Sequence, residues 1–211
     1  MSGLRERKKL ATREALMTAA LRLALERGLE NVRVEDIAAE VGVSPRTFNN
    51  YFSSKYEAIA ARHTDRARLA VAALRARPEG EPLWEALTEA MAAPWERGTG
   101  RAPSPDLLAS ITMLTEEPAL RAESLKVAFA ADGELAEAIA ARTGTDVARD
   151  LYPYLVAVTV TAAVQAAVGH WLRSDPPVPL APLVRDALRA LAEGLPVPSA
   201  EKLEENPRWT S

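Results

Sequence analysis

The side chains of this chain best equipped for chemistry are polar hydrogen-bonding groups crowded into one short stretch: Arg33, Ser44, Arg46, Thr47, Asn49, Asn50, Tyr51 and Lys55. Arg46 can reach the O6 and N7 of guanine bidentately, and an Asn amide matches the N6 and N7 edge of adenine. Thr47 can pack its methyl on thymine or bond to phosphate, and the Tyr51 hydroxyl can donate to a phosphate oxygen. Reactive groups are scarce by comparison. The two histidines, His63 and His170, lie far apart, and His63 has no second ligand at metal spacing. Cysteine is absent, which rules out disulfides, thiolate zinc sites and a cysteine nucleophile and fits a reducing compartment. No Gly-rich phosphate loop or nucleophile elbow occurs. The expectation is a binding protein, not an enzyme, without metal or cofactor.

The elements that must hold these groups are spelled by residues 34–55, VEDIAAEVGVSPRTFNNYFSSK. Ile37, Ala38 and Val41 share one helical face, and Ala38 is small enough for a second helix to cross closely. Gly42 suits the turn, where a positive φ costs it least. Ser44 can cap a second helix that starts at Pro45, a residue that fits the first helical position because no N–H is needed there. Phe48 and Phe52, at i and i+4, point inward and leave Arg46, Thr47, Asn49 and Asn50 on the outward side. The string therefore reads as a helix-turn-helix. A preceding helix fits as its support, with Leu16, Ala20, Leu23 and Ala24 on one face and Gly28 just past its end.

Over roughly residues 10–58 the chain resembles the N-terminal domain of the tetracycline-repressor (TetR) family. That resemblance implies DNA binding through Arg33, Ser44, Arg46, Thr47, Asn49, Asn50, Tyr51 and Lys55, with Lys55 and Tyr51 on the phosphate backbone. Two positions depart from the family pattern. Arg33 stands where a capping Thr is usual, and a guanidinium cannot accept the capping hydrogen bond. Asn49 stands where the family more often carries a Tyr that contacts the backbone, and base reading is the alternative role at that position. The LWEALTEAMAAPWERG and DLYPYL segments are similar to the mycofactocin-associated branch, which implies an acyl-CoA or other lipophilic effector.

Charge is split along the chain. Residues 1–77 hold 15 Lys and Arg against 9 Asp and Glu, and residues 78–211 hold 11 against 20, so +6 and −9 add to the net −3. A basic third attracts a polyanion, and an acidic remainder is repelled by it, which orients the molecule. Arg5, Arg7, Lys8 and Lys9 are expected to form a mobile arm over the duplex. No signal core follows them, because Arg13 and Glu14 interrupt it. The most apolar stretch, residues 155–169, is shorter than the ~20 residues needed to cross a bilayer. A cytoplasmic protein is expected, and Arg outnumbering Lys 21 to 5 suggests a GC-rich bacterial genome.

The expected fold is all-α with about nine helices: a three-helix reader domain (1–54), a helical ligand-binding and dimerisation domain (55–195) and a polar tail (196–211). A long helix over 54–77 joins them, followed by helices over 82–97, 104–117, 118–142, 146–173 and 180–195. Pro153 is expected to kink the eighth near Tyr152. Because one reader helix contacts few base pairs, a dimer gripping half-sites ~34–36 Å apart is expected. Ala162, Ala166, Gly169, Leu183, Ala187 and Leu191 are assigned to its interface, since the family pairs these two helices with their twins in a four-helix bundle.

The family also implies an apolar pocket, for which the candidates are Trp84, Leu87, Met91, Trp95, Leu108, Ile111, Leu125, Phe129, Tyr154 and Gln165. Its occupant then shifts the population toward a spacing of the readers that does not fit DNA, with the 54–77 helix as lever. The function expected from the resemblance is a ligand-responsive repressor on a palindromic operator. The alternative is an effector-independent architectural DNA-binding protein.

Overall fold

The computed structural model describes residues 2–96 and 102–197, apart from the side chains of Ser2, Ala128 and Phe129. Among the described residues every regular element is helical: α1 (Ser2–Arg27), a 3-10 turn (Leu29–Asn31), α2 (Val34–Val41), α3 (Pro45–Asn49), α4 (Lys55–Ala76), α5 (Leu83–Glu96), α6 (Pro105–Glu116), α7 (Pro118–Thr143), α8 (Leu151–Trp171) and α9 (Leu180–Ala192). The expected tail lies outside the described residues from position 198 onward.

The chain divides into two compact units, residues 1–65 with 109–128, and 66–108 with 129–211. The division falls inside α4, not at residue 54. The reason is burial: Ala58, Ile59, Ala60 and Ala61 of α4, with Leu114 and Leu120, complete the core that Leu16, Ala20, Leu23, Ile37, Ala38 and Phe48 begin. In the first unit Gly28 turns the chain at φ 79° and donates its N–H to the Ala24 carbonyl at 3.1 Å. The basic segment Arg5–Lys9 is no loose arm. It extends α1 as helix, because no proline or glycine breaks the run between Leu4 and Arg27.

The second unit has its own core, in which α9 packs against both α5 and α8. Arg142 of α7 donates to the carbonyls of Arg77, Pro78 and Glu81, closing the corner between α4 and α5. The eighth helix starts at Leu151, five residues later than expected, because residues 146–150 form a turn in which Asp146 N–H donates to the Asp150 carboxylate at 2.8 Å. Pro153 thus sits in the first helical turn, where backbone N–H groups have no intrahelical partner. The expected kink at Tyr152 has no cause. At 21 residues α8 is shorter than the expected 146–173 helix, though longer than the 155–169 apolar stretch. By length and composition alone it could cross a membrane, yet Val156, Ala157, Val160 and Ala167 are packed into the core of this unit.

Candidate nucleic-acid interface

The reader is built by local hydrogen bonds. Gly42 takes φ 73° at the end of α2, and the Val43 N–H reaches back to the Ala38 carbonyl at 2.9 Å. Ser44 accepts the Thr47 N–H at 3.1 Å, the cap that allows a helix as short as α3 to begin, and its hydroxyl also bonds the Thr47 hydroxyl at 2.9 Å. Phe48 is fully buried, with its ring 5.7 Å from that of Phe52. That anchoring turns the other side of α3 outward: Ser44, Arg46, Asn49 and Asn50 are exposed, while Thr47 and Tyr51 are half-buried.

Arg33 stands at the N-cap of α2, exposed, and its side chain does not cap. The carboxylate of Asp36 takes over, accepting the Arg33 backbone N–H at 2.9 Å. The spacing of an acid three residues into a helix was available in the sequence, and it shows how Arg can replace a capping residue here. Neither the guanidiniums of Arg33 and Arg46 nor the amides of Asn49 and Asn50 are hydrogen-bonded or ion-paired among the described residues. No internal bond has to break before they meet acceptors on a duplex.

Lys55 is placed differently from its expected phosphate role. Half-buried, it donates from Nζ to the carbonyls of Leu29 at 2.6 Å and Val32 at 2.8 Å, with the Tyr56 ring 5.4 Å away. Two of its three donors therefore hold the chain leading into α2 against the start of α4. The support continues at the other end of the reader. Arg13 of α1 bonds Asp65 of α4 at 2.9 Å and stacks 5.6 Å from the Phe52 ring centroid, and Arg22 bridges Glu26 and Glu40. None of these pairs follows from local spacing except Arg22 with Glu26.

Two family models match the chain, one described as bacterial regulatory proteins of the tetR family over residues 16–61 and one as the MftR C-terminal domain over residues 81–196. The chain belongs to the TetR family of transcriptional regulators. Its similarity to the HTH-type transcriptional regulator TcmR of Streptomyces glaucescens is 35% identity over 183 residues, 82% of this chain and 79% of that one. Among solved structures, the TetR regulator shares its fold with the fatty acid degradation regulator FadR from Bacillus halodurans (TM-score 0.57, 20% identity, 87% of this chain and 96% of that one). The FadR of Thermus thermophilus, solved in complex with lauroyl-CoA, matches with TM-score 0.50 and 23% identity over 89% of this chain and 97% of that one.

In this TetR regulator the other assigned residues scatter. Leu87 and Leu108 are buried, and Trp84, Met91 and Trp95 are partly buried, the α5 members packing on the core of the second unit. The Trp95 ring carries the Arg66 guanidinium at 4.4 Å. Ile111 is half-buried in the first unit, Leu125 in that unit is exposed, and the Phe129 side chain lies outside the described residues. Tyr154 and Gln165 are exposed, contrary to a pocket role, because the 3.6-residue period puts Pro153, Val156, Ala157, Val160 and Ala167 on the opposite, buried face. Ala162 and Ala166 share the exposed face, and Gly169 is half-buried. Leu183 is 6% exposed and belongs to the core with Leu180, Val184 and Leu188, contrary to the expected interface role, because its side chain is spent on packing within its own chain. Ala187 and Leu191 remain partly buried against that core.

Proposed function

We propose that this TetR regulator is a repressor that binds a palindromic operator as a homodimer and is released by a small lipophilic or acyl-CoA-like effector. The observation carrying the reading is α3: a capped helix with a buried Phe48 and a solvent-facing edge of Arg46, Asn49 and Asn50 whose donors and acceptors are unspent. Groups so placed supply base readout in the major groove, with Arg33 and Tyr51 on phosphates. Family membership supports a cytoplasmic location.

Dimerisation is supported by the exposed face of α8, where Leu151, Tyr154, Leu155 and Val158 continue into Ala162 and Ala166. An apolar run of this kind on a soluble regulator marks an interaction surface, and its small residues permit close helix approach. The effector class is supported by the match to the MftR C-terminal domain and by the lauroyl-CoA held in the Thermus thermophilus relative of the same fold. Helix α4 enters both units and is the lever through which effector occupancy reaches the reader.

The test is footprinting of the purified protein on DNA fragments from its chromosomal neighbourhood, with and without lauroyl-CoA. A protected inverted repeat that is lost on ligand addition is expected. Uniform, sequence-indifferent protection together with a flat thermal-shift ligand screen would instead establish the architectural alternative.

A further inference from the structure

Helix α8 carries no Asp, Glu, Lys or Arg from Leu151 to Trp171, in a chain of which 26% is charged. Only 28% of its most apolar stretch is buried within the chain. The larger part of an uncharged helix is therefore left for something else to cover.

The uncovered side has a regular pattern. Leu151, Leu155, Val158, Ala162, Gln165 and Gly169 follow one another at spacings of four, three, four, three and four residues. Gly169 is half-buried and the other five are exposed. Such alternation keeps a seam facing one partner helix over several turns.

Side-chain size along the seam is mirrored about Val160, whose own side chain is buried in the core on the other side of the helix. Leu151 stands nine residues before it and Gly169 nine after, Leu155 and Gln165 five before and after, and Val158 and Ala162 two before and after. On the flank, Tyr154 and Ala166 keep the same relation at six residues. In three of these four pairs a large side chain before Val160 answers a small one after it. A second copy of α8 running antiparallel, related by a two-fold axis beside Val160, sets each large residue opposite a small one. A parallel copy would instead put Leu151 on Leu151 and leave Gly169 facing Gly169 across a gap. A lipid surface has no fixed sites for the mirrored sizes to match.

We propose that α8 pairs antiparallel with α8 of a second copy, in the register that sets Leu151 against the partner's Gly169, Leu155 against the partner's Gln165 and Val158 against the partner's Ala162. The inference rests on the homodimer reading above and adds the direction, register and axis of the pairing. Gln165 gains a role in it, as the polar seam residue that fixes register at a cost in stability.

The chain has no cysteine, so introduced thiols report alone. The first test oxidises full-length Leu151→Cys/Gly169→Cys and the two single variants with copper phenanthroline. Residues 18 apart on one helix lie about 27 Å from each other, so a disulfide can form only between copies. A Cβ at Gly169 meets only the Arg173 guanidinium, at 3.7 Å, which leaves room for the thiol. The double variant is expected to give at least about tenfold more covalent dimer than either single one. The second test follows dimer dissociation: Leu155→Lys should weaken the dimer at least about tenfold, and adding Gln165→Glu should bring it back to within about threefold of wild type.

A single variant that links to itself as readily as the double one overturns the register. So does a double variant that stays unlinked while light scattering reports a dimer. If the thiol pair fails to fold, the charge pair decides, and no recovery on adding Gln165→Glu overturns the proposal. Wild type that scatters as a 22.8 kDa monomer, free or held on phosphatidylglycerol vesicles, defeats the homodimer reading and the register together.

Discussion

The ammonium of Lys55 donates to the backbone carbonyl of Leu29, 26 residues earlier, at 2.6 Å, and to that of Val32 at 2.8 Å. A charge at the first position of α4 gains nothing from the helix dipole, and these carbonyls supply the partner the dipole does not. Lys55→Met leaves both carbonyls short of a donor and is expected to cost about 2 kcal/mol in urea denaturation. Operator affinity should fall with it, while the slope of log affinity against log salt stays within about 0.3 of wild type. A phosphate ligand would change that slope by about 0.9, and a change of that size would return Lys55 to the DNA contacts.

Ser44→Ala removes the cap of α3 and, with it, the bond to Thr47. The expected loss is about 1 kcal/mol of stability. A five-residue helix has little else to hold its first turn, so operator affinity should drop further than global stability does. Ser44→Asp keeps the acceptor and should restore most of the stability, yet weaken DNA binding by placing a negative charge near phosphate. Denaturation and gel-shift titrations on the three proteins check both halves.

Asn49→Ala and Asn50→Ala separate base reading from phosphate binding. If either amide reads adenine, its loss should flatten preference at one base pair of each half-site, by about 1–3 kcal/mol, and leave the salt slope alone. Binding that weakens equally on every operator variant would assign that residue to the backbone instead.

Val158→Glu puts a charge on the exposed face of α8, and Leu183→Glu puts one in the core beneath α9. Light scattering of the wild type should report about 46 kDa, twice the 22.8 kDa chain. Val158→Glu is expected to halve that mass with the helical circular dichroism retained, whereas Leu183→Glu should unfold the protein. A Val158→Glu dimer would move the interface off this face.

The Glu89 carboxyl is held below the usual carboxylate range by its hydrogen bonds from Arg185, whose guanidinium is correspondingly raised above its own. A depressed folded-state pKa contributes stability above the unfolded value, near 4.3, and the contribution disappears as pH falls through the folded one. Arg185→Met should therefore lower Tm at pH 7, and the gap to wild type should close as the solution is taken well below pH 4. A gap that persists undiminished in acid would mean lost packing of the Arg185 stem, not lost charge pairing.

The reader was legible in the sequence because it is assembled within 22 consecutive residues. Gly42, the Ser44 cap, Pro45 and the Phe48–Phe52 pair each act over four residues or fewer, and periodicity alone showed which side of α3 turns outward. The same locality made every helix after Lys55 visible, to within a few residues at most ends. Three matters waited for tertiary structure. The engagement of Lys55 depends on carbonyls more than 20 residues away, and the 2.8 Å bond that Asp132 accepts from the Thr161 hydroxyl depends on α8 packing against α7. The split of the interface set depends on which stripe of an almost uniformly apolar helix finds α9 first. In α8 nearly every face is greasy, so composition names the helix as buried but leaves open which side is buried by its own chain and which is left for another.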